Sequence, residues 1–198
     1  RDVERSRGLG DVYKRQVYMR GEILDSPASD GVIDSASYSV LLRELRFDET
    51  VSAVVLRIDS GGGSAFASES IRREVELLAA DKPVVVSVGG SAASGAYWIA
   101  SAANKIFADS ESITGSIGVF SILFSAEKLA GDFGITFDGV KTSPMADAGT
   151  IARKPIKTEI DRVQRLTDRV YEKFVSLVAK SRKMKPERVA EIADGRVF

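Results

Sequence analysis

Two stretches, Ser52-Ala-Val-Val-Leu-Arg-Ile-Asp-Ser-Gly-Gly-Gly-Ser64 and Pro83-Val-Val-Val-Ser-Val-Gly-Gly-Ser-Ala-Ala-Ser-Gly-Ala-Tyr-Trp98, share one grammar. Each is a β-branched run that breaks on glycine and serine and leads toward a helix-forming segment. Between them, Ser68 to Ala80 carries Ile71, Val75, Leu77 and Leu78 at helical spacing. Asp81-Lys82-Pro83 ends that helix, because proline disfavours helix in the residue before it. Strand-helix-strand-helix implies parallel strands with right-handed crossovers, an α/β fold.

Outward from this unit, Lys105 to Ala108 predicts a third strand, Gly115 to Phe120 a fourth segment and Gly134 to Val140 a short strand or extended piece. From Ile156 to Lys180, residues Ile156, Ile160, Val163, Leu166, Val170, Phe174, Leu177 and Val178 step by three or four. That is a long amphipathic helix, able to extend from the domain and pack on something else, or to pack within it. Lys185-Pro186-Glu187 opens a last short helix. Arg1 to Gln16 has no apolar period and is expected to be a non-native or disordered leader, so that the domain runs over 17–198. The last residues, Val197-Phe198, fall inside what reads as a continuing element, as if truncated at the C-terminus.

Composition narrows the chemistry. The 198 residues carry 28 basic and 28 acidic side chains, so no basic surplus points to a nucleic acid. With no cysteine there are no disulfides, thiol nucleophiles or Cys-ligated metals, and with no histidine there is no Ser-His-Asp triad, His-bound metal or imidazole base. No metal or cofactor is expected. The uncharged run from Pro83 to Ala103 approaches membrane-spanning length, but its glycines and serines dilute it. It is better read as a buried strand, a Gly/Ser turn and a helix of small residues. No anchor is expected within the chain, and Arg1 to Gln16 is too charged for a signal peptide.

The glycines at 61 to 63 let backbone N–H groups turn toward a phosphate or oxyanion, although a tight turn into a helix needs the same residues. The loop lacks the Gly-Lys-Ser/Thr of a phosphate-binding loop. Ser94 falls at the first turn of a helix between Ala93 and Gly95, where a nucleophile would have free amides beside it. The same position suits a plain N-cap. Without histidine, a nucleophilic serine needs a neutral lysine, a carboxylate or water as base; the lysines that follow are Lys105, Lys128, Lys141, Lys154 and Lys157. Tyr97, Trp98, Phe120, Ile122, Leu123 and Phe124 offer an apolar substrate lining, or simply core.

Leu56-Arg-Ile-Asp-Ser-Gly-Gly-Gly-Ser64, the Pro83 to Trp98 stretch and Thr114-Gly-Ser-Ile-Gly-Val119 together resemble the signal peptide peptidase A family of the Clp protease/crotonase superfamily. The resemblance runs from Val17 to Phe198. It implies a spiral of parallel strands with crossover helices and a long C-terminal helix. It implies Ser94 as nucleophile, Gly95 with the Gly62-Gly63 pair as oxyanion-hole donors, and Ser116 beside a catalytic lysine. Gly61 stands where the family often has proline. Single-domain members carry their lysine shortly after the strand matching Gly134 to Val140, where this chain has Lys141 a few residues early and Pro144 or a neighbour in its place. Thr142-Ser-Pro-Met-Ala-Asp147 instead resembles the C-terminal half of the long, two-domain form, in which an upstream half supplies the lysine. The implied activity is Ser-Lys endopeptidase cleavage of spent signal peptides, in a ring- or dome-like homo-oligomer at the outer, periplasmic face of a bacterial inner membrane. The isolated chain is then nearly inactive. Two other readings stand beside it: a catalytically incomplete assembly half, and a crotonase-type acyl-CoA enzyme, which lacks its usual carboxylate in Ser91 to Ala96.

Overall fold

The computed structural model describes the backbone of residues 3–6 and all of residues 13–25 and 31–193. The chain divides into two units, Arg1–Gly118 with Glu172–Phe198, and Val119–Tyr171.

The first unit holds β1 (Val3–Ser6), β2 (Tyr13–Arg20), β3 (Glu22–Leu24), β4 (Val32–Asp34), α1 (Ser35–Phe47), β5 (Val51–Ser60) and α2 (Ala65–Asp81). After these come β6 (Val84–Ala93), α3 (Gly95–Ala100), β7 (Lys105–Phe107) and β8 (Ile113–Gly115). The main sheet has the order β1-β2-β5-β6-β7, with β8 paired to the far end of β6. All pairings are parallel except β1 with β2, and β3 and β4 form a separate parallel pair. Along β5, Val54, Leu56 and Ile58 are almost wholly buried. Helix α2 lays Ile71, Val75 and Leu78 into the same core. Each such side chain contributes about 1.5–3 kcal/mol through removal from water.

Helix α2 starts at Ala65, ahead of the Ser68 suggested by its apolar period, because Ser64 caps it by accepting the Ala67 N–H at 3.2 Å. Helix α1 and strands β3 and β4 have no counterpart in the sequence reading. Only Leu42 and Leu45 of α1 are buried, and Asp34 caps it through the Ser37 N–H at 2.7 Å. Strand β2 begins at Tyr13 and β1 covers Val3–Ser6, both inside the stretch read as a leader; the rest of that stretch lies outside the described residues. So do residues 194–198, on which the reading of a continuing C-terminal element fell.

Two other expectations are corrected. Gly89 and Gly90 are not a turn after the strand; they lie within β6, which runs on to Ala93. The expected fourth segment is the shorter β8, after which 116–126 has no regular structure, and of the two forms expected for Gly134 to Val140 the strand is not made.

The second unit contains α4 (Glu127–Asp132), a loop to residue 156 and the first part of α5 (Lys157–Arg182). Arg153 organises the loop, bonding both oxygens of Asp147 at 2.8–2.9 Å and both of Glu159 at 2.8–2.9 Å. The Arg153 hydrogen bonds hold both carboxyls below the usual range and raise the guanidinium in return. Ile122, Leu123 and Phe124 line a cavity of about 420 Å³ with Met145, Ile151 and Val163. Phe120, Phe124, Phe133 and Val140 are among the most exposed apolar side chains of the unit. The last part of α5 and α6 (Pro186–Ile192) return to the first unit, where Phe174, Val175, Val178 and Ala179 are buried.

Candidate active site

Strand β6 delivers Ser94 to the site. Its pairing changes along its length: Val85 to Ser87 pair with β7, and Ser91 to Ala93 pair with β8. At the end of the strand Ser94 donates its N–H to the Gly115 carbonyl at 2.9 Å, and its own carbonyl accepts the Trp98 N–H at 2.9 Å, opening α3. To make this strand-to-helix turn Ser94 adopts φ 51° and ψ −121°, a backbone region that non-glycine residues rarely occupy. Its side chain makes no capping hydrogen bond. The N-cap alternative is therefore not what the hydroxyl does: it is partly exposed and capping nothing.

The first glycine corner meets this turn. A Cβ built on Gly62 would stand 2.8 Å from both the Gly95 nitrogen and the Ser94 Cβ, and 2.9 Å from the Ala93 carbonyl oxygen. With φ 105°, Gly62 also holds a backbone that a side chain disfavours. The two glycine-rich segments thus converge, as a shared oxyanion site requires.

The two expected donors of the first corner differ. The Gly62 N–H already donates to Ser60 Oγ at 3.1 Å. Gly63 bridges Ile23 of β3 in parallel fashion, with Ile23 N–H donating to the Gly62 carbonyl at 2.9 Å and Ser64 N–H to the Ile23 carbonyl at 2.8 Å. That pattern leaves the Gly63 N–H outside the ladder, on an exposed residue. A Cβ on Gly95 would lie 3.3 Å from that nitrogen and would overlap Ser68 Oγ. The Gly95 N–H, at the first turn of α3, has no intrahelical acceptor. Two amides with no acceptor among the described residues, Gly63 and Gly95, are thus neighbours beside the serine.

Ile23, Ser60 and Ser68 shape this corner and were not singled out from the sequence. Ser60 carried a local signal, a serine directly before three glycines. Ile23 carried none, since it acts through its backbone from a three-residue strand.

Ser116 follows Gly115 at the end of β8 and has φ 48°, so the register Ala93↔Gly115 puts it at the strand end next to Ser94. Lys141 belongs to the second unit, where its Nζ pairs with Asp147 at 2.6 Å. It stands there as the cation of an ion pair, the opposite of the desolvated neutral amine a base requires. In the unit that carries Ser94, Lys82 donates to the Leu45 and Asp48 carbonyls, Lys173 to Glu69 and Lys180 to Glu76. No lysine of that unit bonds Ser94 among the described residues.

Of the apolar lining proposed from sequence, Tyr97 and Trp98 are buried in α3, whereas Phe120, Ile122 and Phe124 are exposed. Trp98 rests its ring 4.6 Å from that of Phe174 and donates Nε1–H to Glu69 at 2.8 Å. Glu69 also accepts from Arg72 and Lys173, each at 2.7 Å. Burial pushes the Glu69 carboxyl up, but the bonds from Arg72, Lys173 and Trp98 outweigh it and bring the pKa down to about 2. A depressed carboxyl stabilises the fold above its unfolded pKa and loses that contribution as pH falls through its folded one. Glu69→Gln is expected to lower stability by about 1–2 kcal/mol at neutral pH, discounted for partial exposure. Calorimetric melts of the two proteins should converge between pH 4.5 and about 2. A gap unchanged across that window would contradict the assignment.

The fold is Clp protease/crotonase-like. A mutant form of ClpP1 from Listeria monocytogenes aligns with a TM-score of 0.60 over 92% of this chain and 80% of its own, at 19% identity. Residues 76–198 match the model for peptidase family S49. Protease 4 of Salmonella typhi is 41% identical over 184 residues, and Protease 4 of Haemophilus influenzae 39% over 185, each alignment covering 92% of this chain. A putative signal peptide peptidase SppA of Enterococcus faecium is 34% identical over 158 residues, 79% of this chain and 46% of that protein. The chain belongs to peptidase family S49, the signal peptide peptidase A family of serine-type peptidases. It spans 29% and 30% of the length of the two Protease 4 relatives.

Proposed function

We propose that this chain supplies the nucleophile and oxyanion hole of a Ser-Lys endopeptidase whose lysine comes from a separate upstream half, with cleaved signal peptides as substrate. The observation that carries the reading is the Ser94 hydroxyl, uncapped at a strained turn beside two unengaged amides. A neutral lysine amine takes the Ser94 proton as Oγ attacks the peptide carbonyl carbon. The oxygen, now an anion, is held by the Gly63 and Gly95 N–H groups. The C–N bond breaks as the ammonium returns its proton to the leaving amine, and water then releases the acyl group by the same route. Ser116, at the end of the neighbouring strand, holds the amine.

The split dyad is supported by the engagement of Lys141 with Asp147. The exposed apolar residues of the second unit suit burial against an upstream half or a further copy in a homo-oligomer. Residence at the outer face of a bacterial inner membrane is part of the same reading, with any anchor carried elsewhere; among the described residues no helix is long and apolar enough to cross a membrane.

Fluorophosphonate labelling tests the split. The chain alone should label at Ser94 at least about 100-fold more slowly than the chain combined with a lysine-bearing upstream half, since an activated serine depends on its base. Lys141→Ala should leave the combined rate unchanged. Fast labelling of the isolated chain that Lys141→Ala abolishes would place the base on this chain instead. No labelling and no peptidase activity in the combined protein would favour the incomplete-scaffold reading.

A further inference from the structure

We propose that Asp59 is a positioning residue for Ser94: its carboxylate sets the bulge in β6 that determines where the serine leaves the sheet. The proposal rests on the reading of Ser94 as nucleophile. Strands β5 and β6 pair in register up to Ile58↔Val88 and resume at Ser60↔Ala92. Between those pairs β5 has Asp59 alone, and β6 has Gly89, Gly90 and Ser91. Two extra residues in a parallel strand leave backbone groups without ladder partners, and these must be met some other way.

Asp59 Oδ1 accepts the Ser91 N–H at 3.1 Å. Ser112 Oγ, from the segment leading into β8, donates to the Gly89 carbonyl at 2.8 Å. Glycine is needed at 89, where a Cβ would fall 2.8 Å from the Asp59 Cβ, whereas a Cβ on Gly90 would crowd Oδ1 at 3.3 Å. The last pair of β6 with β7 is at Ser87, ahead of the bulge, and its pairing with β8 begins at Ser91, so the switch of partner spans the bulge; three residues after Ser91 the strand reaches Ser94.

Asp59 is also tied on its own side. Its carbonyl accepts the Gly21 N–H at 3.1 Å, and the adjacent Ser60 holds the Gly62 N–H. One residue therefore joins the strand that ends in the oxyanion corner to the strand that ends in the nucleophile. The guanidinium of Arg20, 3.9 Å from Oδ2 and largely exposed, is too weak a partner to give the carboxylate a different purpose. What the bulge requires is an acceptor at this position. The charge is secondary.

The test uses the combined, lysine-bearing protein and reads three quantities: fluorophosphonate labelling of Ser94, steady-state cleavage of a fluorogenic peptide, and melting temperature. Asp59→Asn keeps an acceptor and should label within about threefold of the parent. Asp59→Ala removes it and should lower kcat and labelling about tenfold or more with KM little changed, the signature of a misplaced reacting group. Gly90→Ala, which crowds Oδ1 without removing it, should fall between them and serves if Asp59→Ala does not fold. Asp59→Ala or Gly90→Ala at the parental rate would overturn the proposal. So would Asp59→Asn as slow as Asp59→Ala. A parent that shows no Ser94 labelling overturns the nucleophile reading itself and this proposal with it.

Discussion

Ser94→Ala in the combined protein is expected to reduce peptide cleavage by roughly four or more orders of magnitude, with the residue left over coming from substrate binding and the two amides. Stability gives an independent arm. A serine that works as an N-cap costs about 0.5–2 kcal/mol when replaced by alanine. Here the hydroxyl caps nothing, so Ser94→Ala should melt within about 0.5 kcal/mol of the parent. Ser94→Gly should be more stable by up to about 1 kcal/mol, because φ 51° costs glycine nothing. Activity lost and stability unchanged or raised is the pattern of a strained functional residue. Activity retained with stability lost would return Ser94 to a capping role and end the peptidase mechanism for this site.

The second large effect is expected at Gly62, with its neighbour as control. Gly62→Ala introduces a methyl group 2.8–2.9 Å from the Gly95 nitrogen, the Ser94 Cβ and the Ala93 oxygen, all of them backbone or anchored atoms of the Ser94 turn. Nothing flexible can yield, so the two corners must move apart, and the oxyanion loses at least one donor. Removal of such a donor costs about 100- to 1,000-fold in turnover, and peptide kinetics on Gly62→Ala should show a loss of that size in kcat. Gly61→Ala has open space around the new methyl group and no left-handed φ to violate. It should keep parental kinetics, with stability unchanged or slightly raised by a stiffer unfolded chain. Equal losses at Gly61 and Gly62 would mean that loop flexibility, not corner contact, sets the rate.

The parts of the fold legible in the sequence are those where side-chain pattern and backbone path coincide. Strand β5, helix α2 and the start of β6 announce themselves through β-branched runs, a helical apolar period and Pro83. What escaped depends on backbone geometry that residue type does not determine. Gly89-Gly90 has the composition of a turn, yet forms the widened part of a strand because Asp59 and Ser112 satisfy the displaced groups. Gly62 and Gly63 look equivalent as donors, and only the Ser60 hydroxyl and the Ile23 bridge separate them. Ser94 is equally a cap or a nucleophile by residue type, and its φ and ψ decide that the hydroxyl does not cap. The short strands β3 and β4 are too brief to show a period.

The single tryptophan of the chain is Trp98, on the helix that Ser94 opens. Its indole lies between a carboxylate on α2 and an aromatic ring on the closing stretch of α5. Indole fluorescence of this chain is therefore a signal from one place, four residues from Ser94, with no other indole to blur it. Any event that loosens the seat of the long helix should appear as a red shift and a change in quenching, readable in solution without a label.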